Sequence, residues 1–227
     1  MTVRSAPHPL GDAIDQLDRA LNPSERRVIA GLRSPRAVQA FLDELHYSDD
    51  LFYRCPLRVI RERKAHCFDG ALFAAAMLRR LGYPARILDI LPNDRDDDHL
   101  LALFKRNGRW GAVAKSNFTG LRFREPVYRT LRELVMSYFE DFYNVLGEKT
   151  LRGYTVPLNL KSFDRSGWMT SDAPLDRIAD RLDEIRRVQL LTDAMVAELS
   201  PVDERSLAAG LEGANEAGLW KPGKGNP

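Results

Sequence analysis

HCFDGALFAAAMLRRLG, the stretch from His66 to Gly82, decides the fold. Cys67, Ala71, Ala74, Ala75, Leu78 and Leu81 recur at helical spacing, and Leu72, Phe73, Ala76 and Met77 make most of the remaining surface apolar. A helix apolar nearly all round is a buried helix. Its alanines let neighbouring elements approach closely. Gly82 can supply a left-handed cap, with Pro84 just beyond it. Cys67 stands at the N-terminus of this helix. Unpaired N–H groups and the positive end of the helix dipole favour an anion there, and such a place lowers a thiol from its ordinary pKa of about 8.5. Cys67 is therefore either a nucleophile at the helix mouth or a small packing residue, the commoner fate of a free cysteine.

Reading outward, YPARILDILP (83–92) is a strand. HLLALFKRNGRWGAVAKSN (99–117) is two strand-forming runs around Asn107-Gly108, the preferred dipeptide of a tight hairpin turn. With those two residues as the loop, Arg106 faces Arg109, Phe104 faces Gly111, Leu101 faces Ala114 and His99 faces Ser116. A thiolate needs a base that holds and returns its proton, and His99, at the head of the first hairpin strand, is the candidate. A third group should orient the imidazole. Register favours Ser116, and chemistry favours Asn117, whose carbonyl oxygen accepts a hydrogen bond at any pH. Both stay open. His66 is read as flanking, because adjacent side chains at a helix start diverge.

HCFDGALFAAAMLRRLGYPARIL, then His99, then GRWGAVAKSN together resemble the core of the transglutaminase-like superfamily, over roughly Pro56 to Asn117. These are papain-like cysteine enzymes, with a Cys at the start of a buried helix and a His and an Asp on successive strands. The resemblance implies an α+β fold, with the Cys-bearing helix packed on a small antiparallel sheet and further helices around it. It also implies acyl transfer from an amide or ester carbonyl, to water or to an amine, with Cys67 as nucleophile and His99 as base. Such chemistry needs no cofactor. The family's Asp has no counterpart here, since Ala114, Lys115, Ser116 and Asn117 hold no carboxylate; a Cys-His-Asn set occurs in papain-like relatives. Two alternatives follow: a catalytically inactive binding or scaffold domain of the same fold, and a metal-dependent hydrolase at Asp96, Asp97, Asp98 and His99, whose bland counterpart is a solvated acidic loop.

The rest of the chain bounds these readings. Of 227 residues, 34 are Lys or Arg and 32 Asp or Glu, a net charge of +2 that argues for neither nucleic acid nor an anionic membrane. No apolar run reaches the ~20 residues that span a bilayer, and the N-terminus lacks the apolar stretch of a secretory signal, so a cytoplasmic location is expected. Two cysteines, Cys55 and Cys67, are too few for a disulfide scaffold. The organisation expected is an N-terminal helical extension (1–33, with Leu10, Ile14, Leu17 and Leu21 on one face), a core (34–172), a long helix (173–199) and a flexible or accessory tail (200–227). Within the core, Ser34 caps a helix opened by Pro35, and EPVYRTLRELVMSYFEDFYN reads as one amphipathic helix. Peptide, amide or ester compounds are the expected partners.

Overall fold

A computed structural model describes residues 13–222; Leu10 and the first nine residues lie outside them. The helices are α1 (Ala13–Ala20), α2 (Pro23–Gly31), α3 (Pro35–Asp43), α4 (Pro56–Glu62), α5 (Cys67–Arg80), α6 (Leu131–Met136), α7 (Leu175–Glu184), α8 (Asp193–Ala197) and α9 (Glu204–Gly210). The strands are β1 (His46–Tyr47), β2 (Lys64–Ala65), β3 (Arg86–Leu91), β4 (His99–Arg106), β5 (Arg109–Val113), β6 (Arg124–Tyr128), β7 (Gly153–Thr155), β8 (Leu158–Asn159) and β9 (Arg187–Gln189). One antiparallel sheet runs β6-β5-β4-β3-β7-β9, with β8 also on β3. The fold is α+β, as the sequence implied.

The alanine-rich stretch is the central helix, α5. His66 caps it, its Nδ1 accepting from the Phe68 amide at 3.2 Å, while the Asp69 carboxylate accepts from the His66 amide at 3.3 Å. Gly82, at φ +90°, ends it in the left-handed region. Every residue from Phe68 to Leu78 is buried. The helix lies against the sheet with α3 and α4 alongside, Phe41 stacking on Phe73 at 4.8 Å between ring centroids. Gly70 permits the closest approach, since a Cβ there would lie 2.3 Å from that of Lys115. None of the helices among the described residues is long and apolar enough to cross a membrane.

The hairpin has the expected register, with Arg106 opposite Arg109, Phe104 opposite Gly111 and Ala102 opposite Val113. Asn107 and Gly108 both have positive φ, +49° and +75°. The ladder stops at Val113, so Ser116 never pairs with His99, which pairs instead with Ile90 of β3. Side chains alternate across β4. Leu100, Ala102 and Phe104 join the core around α5, whereas Leu101 and Leu103 join a second core on the other face, with Tyr138 and Phe142.

Two segments depart from expectation. Residues 125–144 are not one helix. Pro126 lies in β6, an edge strand where its missing N–H costs no ladder bond, and Val127 is 63% exposed. The helix begins only after Thr130, whose hydroxyl accepts from the Glu133 amide at 3.0 Å. The long helix after Pro174 ends at Glu184, because Val188 pairs with Tyr154 and extends the sheet; Met195 is 47% exposed. Residues 200–218 are docked on the body. Asn117 and Asn215 exchange two side chain to backbone hydrogen bonds, at 2.7 and 2.8 Å, and the Thr119 amide donates to the Gly210 carbonyl at 2.9 Å. α1, α2 and α7 contribute Leu17, Ile29, Ile178 and Leu182 to the core that holds α5.

Candidate functional site

Cys67 opens α5 and is partly exposed, in dense surroundings. Its thiol lies 3.9 Å from the Asp98 carbonyl oxygen, and the Leu100 amide donates to the sulfur. Burial first, and then the carboxylates of Asp98 and Asp89, push the Cys67 thiol well above its ordinary range. Dipole and anionic neighbours thus oppose each other at the sulfur, and the neighbours together with burial win. The first-turn donors are also engaged. The Phe68 amide is held by His66, and the Cys67 amide bonds the Tyr47 hydroxyl. Burial lowers His66 to about 4, so it caps the helix as neutral imidazole.

His99 does not join this site. By strand alternation its side chain shares a face with Leu101 and Leu103, away from α5. It is 4% exposed, with Nε2 2.6 Å from the Leu121 carbonyl oxygen. Burial lowers it to about 4, against the opposing effect of that hydrogen bond. Sulfur and imidazole are thus engaged by different partners: the sulfur by Asp98 and Leu100 beside the core around α5, the imidazole by Leu121 of the second core. The third-residue candidates lie elsewhere too. The Ser116 hydroxyl accepts from the Phe118 amide at 3.0 Å, and Asn117 is spent on Asn215. Ser116 and Asn117 instead line a separate cleft of about 450 Å³, beside Lys115 and the docked residues 212–215.

The acidic loop is dispersed in the same way. The Thr150 hydroxyl donates to the Asp96 carboxylate, Asp98 is exposed, and the His99 ring bonds the Leu121 carbonyl. Among the described residues no group of three or more His, Cys, Asp or Glu side chains is placed to hold a metal ion.

The chemistry-bearing neighbour of Cys67 that sequence reasoning missed is the pair Asp89–Asp98. Asp89 lies in β3 opposite Leu100, on the α5 face, and is 3% exposed. Strand alternation directs Asp98 to the same face, and its side chain is exposed. Burial, then Asp98, raises Asp89 well above the carboxylate range; burial, then Asp97, raises Asp98 to about 6. Neighbouring carboxylates disfavour ionising together. The signal was present: Asp89 is the one charged residue inside the apolar run ILDIL, and Asp98 is the neighbour on which period-two alternation brings the α5 face if His99 has the other.

Residues 30–114 match the model of the transglutaminase-like superfamily. Among solved structures, Legionella pneumophila LapG aligns at 17% identity over 48% of this chain and 72% of its own, with a TM-score of 0.34. EGTA-treated LapG from the same organism aligns at 16% identity over 73% of this chain and 95% of its own, with a TM-score of 0.40. No curated protein matches the chain. The matched segment runs from the end of α2 through β5 and includes Cys67, and it is this segment that is similar to the transglutaminase-like superfamily.

Proposed function

We propose that this transglutaminase-like domain is a non-catalytic binding or scaffold module, in which Cys67 and His99 do not perform acyl transfer. One observation carries this: the imidazole is buried and bonded to the Leu121 carbonyl of the second core, whereas Cys67 packs on the core around α5. A thiol flanked by carboxylates stays protonated near neutral pH, and a protonated thiol is a poor nucleophile. The two N–H groups that would hold an oxyanion already have partners.

Alkylation by iodoacetamide tests this. Cys55 is 3% exposed and its thiol is pushed up to about 12, chiefly by burial, so Cys67 supplies the signal. The labelling rate should climb about tenfold per pH unit up to at least pH ~9, as for a thiol of high pKa, and His99→Ala should leave it unchanged. A rate that levels off below pH ~7 and falls several-fold in His99→Ala would restore the cysteine enzyme.

A further inference from the structure

We infer that the cleft of about 260 Å³ between residues 148–152 and 196–201 binds a carboxylate carried on an apolar group, with Arg152 as its anchor. Neither Cys67 nor His99 lines this cleft. The inference therefore goes beyond the reading above and stands whatever the thiol does.

Arg152 is held in place just before β7. Its amide donates to the Leu91 carbonyl at 2.8 Å, and its carbonyl accepts from the Leu190 amide at 2.9 Å. The side chain is fixed as well, because Nη1 donates to the carbonyls of Lys149 at 3.0 Å and Leu151 at 2.9 Å. Nε and Nη2 have no hydrogen-bond partner, and the guanidinium has no carboxylate, among the described residues. Those two nitrogens form the edge that takes a planar carboxylate through two parallel N–H bonds. Arg95, in the same cleft, uses that edge on Glu148, at 2.8 Å from each nitrogen.

The other charges are already matched. Lys149 pairs with Glu140, and Glu148 is held by Arg95 and Asn144. Arg152 is the open cation. It is half-buried, and burial alone pulls it below its ordinary range, with no acidic neighbour to offset the effect. A charge taken out of water without a partner is costly, and an incoming anion would offset that cost. Val196, Leu199 and Pro201 supply an apolar wall, and Ser200 adds a hydroxyl. One open planar edge suits a carboxylate monoanion better than a phosphate dianion. The volume is below that of drug-sized pockets, so it suits one terminal residue or one small acid.

Ligand-detected magnetic resonance titration of the full chain tests the site. The probes are 4-methylpentanoate, the dipeptide acetyl-alanyl-leucine with a free carboxylate, the same dipeptide amidated, and inorganic phosphate. The carboxylates should bind at least about tenfold more tightly than the amide. Arg152→Gln should weaken them about tenfold or more, and Arg152→Lys should restore only part of the loss. Leu199→Asp should weaken them too, whereas removing an exposed arginine outside the cleft, Arg165→Ala, should leave them unchanged. Preference for the dipeptide would indicate the C-terminus of a polypeptide, and preference for 4-methylpentanoate a free small acid; either supports the site. No binding of either carboxylate at millimolar concentration, equal binding of the amide, tighter binding of phosphate, or full binding by Arg152→Gln would overturn it. The acid-against-amide comparison uses the unaltered chain, so it holds even where a variant fails to fold.

Discussion

Arg54→Ala is expected to destabilise the fold by about 3–5 kcal/mol, the usual cost of removing one partner from a buried charge cluster. Arg54 is 2% exposed. Its guanidinium donates to Ser48 at 2.9 Å and to Glu62 at 2.7 Å, pairs with Asp50, and stands 3.7 Å from Asp69. Asp69 is fully buried and accepts from the Arg54 amide at 2.7 Å while it holds the cap of α5. Alanine would leave that carboxylate without its cation and loosen the loop that carries Tyr53. Arg54→Met restores volume without charge and should recover only part of the loss. The denaturant midpoint reads both variants; a shift worth under about 1 kcal/mol for Arg54→Ala would mean that the cluster behaves as a solvated surface pair.

Asp89→Asn should act in the opposite direction, stabilising the protein by about 1–3 kcal/mol near pH 8. The ordinary carboxyl value is 3.8, and the folded protein holds Asp89 well above it, chiefly through burial. Burial likewise raises Asp69 to about 7 and Asp96 to about 6. Such groups bind a proton more tightly folded than unfolded. The stability they contribute is complete below the unfolded value of 3.8, and it is lost as pH rises through their folded values. Total stability should therefore decline between about pH 4 and pH 7 from these groups. An amide at position 89 never ionises, so its gain should be large at pH 8 and shrink toward zero near pH 4. Equal unfolding midpoints at both pH values would show that Asp89 is not held neutral.

Much of this was legible in the chain. Asn107-Gly108 set the hairpin and its register because the turn chemistry admits few alternatives. The apolar run of α5, its start at Cys67 and its stop at Gly82 were readable because burial and capping are local. Competition between local and tertiary preference accounts for what was missed. Pro126 begins an edge strand, and Val188 breaks a helical stripe because the sheet offers it a partner in Tyr154. At the candidate site, His99 was read as facing the cysteine helix because it heads a strand. A side chain's face, however, depends on register against β3, where a shift of one residue exchanges His99 for Asp98. Asp89 was passed over because a single carboxylate in an apolar strand has no motif of its own; its meaning comes only from its neighbours.

The most direct measurement is a pH titration of thiolate ultraviolet absorbance, taken as the difference between the protein and Cys67→Ser, with and without His99→Ala. With the imidazole bonded to Leu121 and carboxylates beside the thiol, a single step above about pH 9 is expected, at the same place in both backgrounds. A step below about pH 7 that moves upward when His99 is replaced would contradict it.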